Sequence, residues 1–196
     1  MVEKEPLTQE QYLEVQRSAL LYTNKDGSPN KDGIKAIQLI RYTSMHISII
    51  SDPVRNNLRI EKAPDGEYIV WDRPKKKGKL AHTEIRRSRN LTFNIQDFIR
   101  DLIERRAMYD LDPNPHGKRY RIHRQYWYRL FLRIGERAGI EGLTPLTLRH
   151  TFAVQSIPVL GSELTREILN CNDKTFRHYS KYNRATRVEV FNRANW

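Results

Sequence analysis

Cysteine is almost missing from this chain, with Cys171 the single example in 196 residues. That excludes an internal disulfide framework and a cysteine-built zinc site, and it sets a reducing, intracellular setting as the expectation. No apolar run approaches the roughly 20 residues that a membrane-crossing helix needs. The opening MVEKEPLTQEQ lacks the apolar stretch of a secretory leader. Internal repeats and low-complexity tracts are missing too. Acidic residues are scarce beside basic ones: 23 Asp and Glu face 35 Lys and Arg, a net charge of +12.

Hydrophobic residues make up 38% of the chain, and ten Tyr, six Phe and three Trp supply bulk for a core, so wholesale disorder is excluded. The positive charge is clustered. From Arg73 to Arg89 there are eight basic residues against one acid, Glu84. From Lys118 to Arg137 there are seven against Glu136, interleaved with Tyr120, Tyr126, Trp127 and Tyr128. Cations interleaved with aromatics form a surface suited to a phosphate backbone, and a polyanion, of which double-stranded DNA is one, is the expected partner. A membrane surface fits less well, because no strongly basic amphipathic helix carries a large continuous apolar face.

Periodicity and punctuation give a coarse plan. Thr8 and Gln11 form a capping box that predicts a helix to about Tyr22, with Leu13, Leu20 and Leu21 among its core residues. The Asn/Asp/Gly/Pro-rich stretch from Asn24 to Gly33 predicts a loop, and Ile34 to Thr43 a helix with Ile37, Leu39 and Ile40 inward. Strands are predicted at Leu58–Glu61, at Tyr68–Asp72 after the Pro64-Asp65-Gly66 turn, and near Ala81–Arg86 beyond a lysine-rich hairpin tip. Helical spacing returns from Asn94 to Met108, with Ile95, Phe98, Ile99, Leu102 and Ile103 on one stripe. Asp112 to Gly117 breaks it, and a basic helix from Ile122 to Ala138 follows, stopping near Gly139. A helix after Pro145, another over Glu163–Leu169 and a two-piece helical segment over Lys174–Trp196 complete the plan. The class is α+β, mainly α, with a small antiparallel sheet of three strands.

Four strings carry chemistry. GLTPLTLRHTFAV leads through Pro145 into a helix bearing Arg149, whose guanidinium can present paired donors to two oxygens of one phosphate. REILNCNDKTFRHYSKY holds Tyr179, with Tyr182 three residues later on nearly the same helical face. IRYTSMHISII and the hairpin WDRPKKKGK lie upstream. Together they resemble the tyrosine recombinases and phage-type integrases, over about Leu7 to Tyr182. The resemblance implies a catalytic domain over residues 1–182 and a C-terminal tail over 183–196 that packs in cis or in trans. The family usually carries a separate helical DNA-binding domain ahead of the catalytic one.

The resemblance also implies roles. Tyr179 is the nucleophile that forms a 3′-phosphotyrosine link, with Tyr182 the alternative, and Arg149 clamps the phosphate and stabilises the transition state. Lys76 or Lys77 is the general acid toward the leaving 5′ oxygen, with Lys75 and Lys79 also in reach of that place. His46 falls on the family's first arginine, while Ser44 and Ile49 fall on its glycine and glutamate. Leu146 falls on the histidine three residues before the second arginine, and Cys171 on a later histidine or tryptophan. Supporting candidates are Cys171, His150, His178 and Tyr182; His150 is expected to help packing, and His178 to point about 100° away from Tyr179. Arg73, Lys75, Lys79, Arg86, Arg87, Lys118, Arg119, Arg121 and Arg124 are expected on DNA.

The phosphotyrosine link conserves phosphodiester energy, so no ATP, metal or other cofactor is implied. Self-association on DNA follows from the family, and so does a role in recombination or integration of mobile elements. Three altered positions (His46, Leu146 and Cys171) leave two expectations open: a DNA strand transferase, slow or silent, and a recombinase-fold protein kept for DNA binding or regulation.

Overall fold

The computed structural model describes residues 6–73, 82–87, 91–111, 122–169, 176, 177 and 179, with backbone alone at 73, 82 and 84–87. Helix α1 (Gln9–Leu20) opens on the Thr8–Gln11 capping box, with both reciprocal hydrogen bonds formed. Its inward face is Tyr12, Val15 and Ala19, at helical spacing. Leu13, Leu20 and Leu21, expected in the core, are exposed. Tyr12, Val15 and Ala19 hold the buried stripe, and the leucines fall outside it.

Helix α2 (Lys31–Thr43) starts three residues earlier than its apolar spacing indicates, because Asn30 caps it by accepting from the Asp32 N–H. Ile37, Leu39 and Ile40 are fully buried, as their spacing predicts. The helix ends on Ser44, held left-handed at φ 54°. Glycine adopts that conformation without strain, so this serine costs about 1 kcal/mol. A short helix that the sequence pattern does not announce, α3 (Ile47–Ser51), follows, capped by His46. Its isoleucine-rich run reads equally as strand, and histidine is an uncommon cap.

The sheet has order β1-β2-β3, all antiparallel: β1 (Arg59–Ala63), β2 (Gly66–Arg73) and β3 (His82–Arg87). Ile69, Val70 and Trp71 of the central strand are buried in succession, as expected for a strand covered on both faces. The lysine-rich connection between β2 and β3 lies outside the described residues.

Helix α4 (Ile95–Leu111) buries Ile95, Phe98, Ile99 and Leu102, while Ile103 is exposed at the edge of the stripe. Helices α5 (Arg124–Arg137), α6 (Pro145–Leu160) and α7 (Ser162–Leu169) complete the described elements. Trp127, Leu130, Phe131 and Ile134 of α5 enter one large apolar core with α1 to α4, the sheet and Leu148 of α6. A polar latch crosses this core: Arg105 of α4 donates to both oxygens of Asp32 at 2.7 and 3.0 Å, and the Tyr126 hydroxyl of α5 donates to the same carboxylate. Burial alone would lower the Arg105 pKa, but the hydrogen bonds and charges of Asp32 and Asp101 hold it above its ordinary value.

Two glycines set close approaches. A Cβ at Gly33 would lie 2.6 Å from Ile134 Cδ1, and one at Gly135 would lie 2.5 Å from Leu143 Cβ. Helix α5 therefore sits directly on α2 and on the turn that leads into α6. Among the described residues no helix is long and apolar enough to cross a membrane.

Candidate functional site

Helix α6 is nucleated firmly. Pro145 occupies its first turn, and Thr144 and Thr147 form a reciprocal cap. Thr147, Leu148 and Thr151 turn into the protein and are buried. Leu146, Arg149 and His150 then share another face, at three- and four-residue spacing. Arg149 and His150 are half-buried, whereas Leu146 is 50% exposed.

Arg149 Nη2 donates to the Leu169 carbonyl at 3.4 Å. That carbonyl belongs to the last turn of α7, where the helix dipole favours a cation. Leu169 in turn packs in a second, small apolar cluster with Ala153, Ile157, Phe176 and Tyr179. Tyr179 is only 5% exposed, its ring held edge-on between Phe176 at 6.4 Å and His150 at 5.1 Å between centroids. Arg149, His150 and Tyr179, far apart in sequence for the last of them, thus meet around Leu169. His150 packs its ring edge-to-face on Tyr179, in keeping with the packing expected of it.

His46 is not in this cluster. It is exposed at the start of α3, where its Nδ1 accepts from the Ser48 N–H at 3.2 Å and lies 2.7 Å from Ser48 Oγ. Ser48 lines a cleft of about 210 Å³ together with Arg106, Tyr109, His123 and Arg124. Arg106 is paired with Asp110 at 2.8 Å and with Asp52 at 3.7 Å. The exposed Arg124 lies over the Tyr128 ring at 5.4 Å. Exposed Arg129, Arg133 and Arg137, at four-residue spacing, form a separate basic stripe on the far side of α5 from Arg124, the one arginine of α5 expected on DNA.

One connection had no sequence signal. Arg41 of α2 lies over the Tyr12 ring at 5.4 Å and donates to the Gln155 side chain of α6. Burial lowers the Arg41 pKa, against the effect of Tyr12 and Tyr42. Burial, with Tyr42 adding to it, also raises the Tyr12 phenol well above its ordinary range.

Lys75, Lys76, Lys77, Lys79, Lys118, Arg119, Arg121, Cys171, His178 and Tyr182 lie outside the described residues, as do the side chains of Arg73, Arg86 and Arg87 and the tail over 183–196. Among the described residues no group of His, Cys, Asp and Glu is arranged to hold a metal ion.

No family model matches the chain, and no curated protein matches it. Solved structures do. An XerH site-specific recombinase bound to palindromic difH substrate in a post-cleavage complex matches over 94% of this chain with a TM-score of 0.59 at 18% identity. XerA recombinase matches over 100% with a TM-score of 0.60 at 17% identity. XerH with difH substrate in a pre-cleavage complex matches over 90% with a TM-score of 0.57 at 18% identity. The chain spans 52%, 65% and 50% of the length of these three structures respectively. The fold is that of a tyrosine-recombinase catalytic domain, mainly helical with a three-stranded antiparallel sheet, as the sequence resemblance implied.

Proposed function

We propose that this chain is the catalytic part of a DNA strand transferase, a site-specific recombinase or integrase that cleaves and rejoins DNA through a 3′-phosphotyrosine link. The observation that carries the reading is the gathering of Arg149 and Tyr179 around Leu169 within a recombinase-like fold. Arg149 is the one strong fixed cation of α6's site face, suited to two oxygens of a scissile phosphate and to the charge that grows on them. Tyr179 supplies the attacking oxygen. A phenol with an ordinary pKa of about 10 needs activation to attack at neutral pH. Lys76 or Lys77 of the β2–β3 turn protonates the leaving 5′ oxygen.

His46, whose Nδ1 accepts from the Ser48 N–H, stands where the family has an arginine and would take that arginine's place on the phosphate. Arg73, Lys75, Lys79, Arg86 and Arg87 of the hairpin, with Lys118, Arg119, Arg121 and Arg124 leading into α5, follow the phosphate backbone. Copies of the chain associate on DNA, and the protein works where DNA is.

The near-enclosure of Tyr179, at 5% exposure, and the apolar Leu146 favour a second reading. In it, the fold is retained for DNA binding or regulation while cleavage has decayed. A duplex nicked near the cleavage site separates the two. The strand-transferase reading expects a covalent protein–DNA adduct that is lost in Tyr179→Phe and kept in Tyr182→Phe. Tight, salt-sensitive binding with no adduct from any substrate selects the second reading. Removing hairpin cations should lower the slope of log affinity against log salt by roughly 0.9 for each phosphate no longer neutralised.

A further inference from the structure

Where the resembling family has a histidine, this chain presents Leu146, half exposed on the site face of α6 and unable to take or give a proton. One helical turn later on the same face is His150. Its ring stands edge-to-face against Tyr179, with centroids 5.1 Å apart and planes at 76°. Phe176 also stands edge-to-face to the phenol, at 6.4 Å and 78°. The guanidinium of the adjacent Arg149 meets the same cluster at the Leu169 carbonyl. An imidazole has therefore reached the phenol from a different position of the same helix.

We propose that His150 handles the proton that Leu146 cannot: it accepts the Tyr179 hydroxyl proton as the phenol oxygen attacks phosphorus. This rests on the strand-transferase reading. The Oη–H bond breaks and its proton goes to an imidazole nitrogen, while an Oη electron pair forms the new O–P bond. The bond from phosphorus to the 5′ oxygen breaks, and that oxygen leaves with the electron pair and takes a proton from the hairpin lysine. Neutral imidazole, ordinarily the main form at pH 7, is suited to the acceptor role, and ionising the phenol unaided at that pH is costly. Attack requires the phenol to turn from the cluster toward the phosphate, and that turn is made against the imidazole.

The test uses the full chain and the nicked duplex, following adduct formation in single turnover. His150→Phe keeps an aromatic ring beside Tyr179 and removes the acceptor; adduct formation should slow roughly 10²- to 10⁴-fold, with DNA affinity within about twofold of the parent. His150→Ala should slow likewise and recover at least about tenfold when free imidazole is added, with substituted imidazoles rescuing in order of basicity. Circular dichroism and the thermal midpoint establish that each variant is folded. A failure of His150→Phe to fold leaves the rescue of His150→Ala to decide. Undiminished adduct formation in folded His150→Phe, or a slow His150→Ala that no imidazole rescues, overturns this assignment alone. No adduct from the parent chain overturns the strand-transferase reading and takes this assignment with it.

Discussion

Two apolar clusters of very different size divide the molecule. The large one draws on α1 to α5, the sheet and the first turn of α6, and it contains Trp127, Phe131, Phe98 and a dense set of isoleucines with little or no exposure. The small one holds Ala153, Ile157, Leu169, Phe176 and Tyr179. The large cluster is latched by a charged network, Asp32 with Arg105, whereas the small one is joined by ring contacts and by the Arg149 hydrogen bond to Leu169. Helix α6 runs from one to the other: Leu148 faces the large core and Ala153 the small cluster. Arg149 and His150 sit at the crossing. Stability therefore resides mostly in one region, and the proposed chemistry lies at the edge of the other. Two polar bridges hold them in register: the Leu7 N–H on Thr151 Oγ1 at 2.9 Å, and Arg41 on Gln155.

The division can be broken by substitution. Phe131→Ala, a fully buried ring in the large core, should cost about 3–5 kcal/mol of global stability, read from denaturant midpoints. A loss under about 1 kcal/mol would mean that this cluster does not carry the fold. Leu169→Ala should cost about 2 kcal/mol, and mostly within the small cluster. Amide exchange in α7 would then quicken roughly thirtyfold while α2 and α5 keep their rates. Equal acceleration in all three would merge the two regions into one cooperative unit.

The smallest effect probes a bridge. Burial raises the Tyr12 phenol from its ordinary 10.0, so the folded state holds that proton more tightly than the unfolded one. The corresponding stability is present below about pH 10 and is lost as pH rises beyond it. The parent should lose stability above pH 10 more steeply than Tyr12→Phe. Parallel curves would remove Tyr12 from the account.

The large region was mostly readable because its signals are local. The α2 stripe, the Thr8 cap, the helix start at Pro145, the Pro64–Gly66 turn and the α4 periodicity are written at short spacing, and each appears in the fold. The errors there were competitions between local signals. On α1 the more hydrophobic leucines outweighed the Tyr12–Val15–Ala19 stripe that tertiary packing selects, and Ile103 lies one step beyond its stripe. Around Ile47 to Ser51 a β-branched run concealed a single capped turn.

The site was legible in part for a different reason. Arg149 and Tyr179 stand in short strings whose resemblance to a family carried their assignment. The contact of His150 with Tyr179 joins residues distant in the chain, and no spacing within α6 announces it. The same holds for Arg41 and Gln155, whose pairing depends on how α2 meets α6.

The glycine at position 135 has a mechanical consequence. With Leu143 Cβ only 2.5 Å from where its own Cβ would be, the basic helix cannot be wedged away from the turn that launches the arginine-bearing helix without prying the two apart. On the proposed function, the interval between the α5 cation that would meet the backbone and the guanidinium that would hold one phosphate is thus a fixed gauge. On the proposed function, a duplex whose phosphates do not match that gauge has to bend or unwind to fit, and part of the choice among DNA sequences would be made by how easily each deforms.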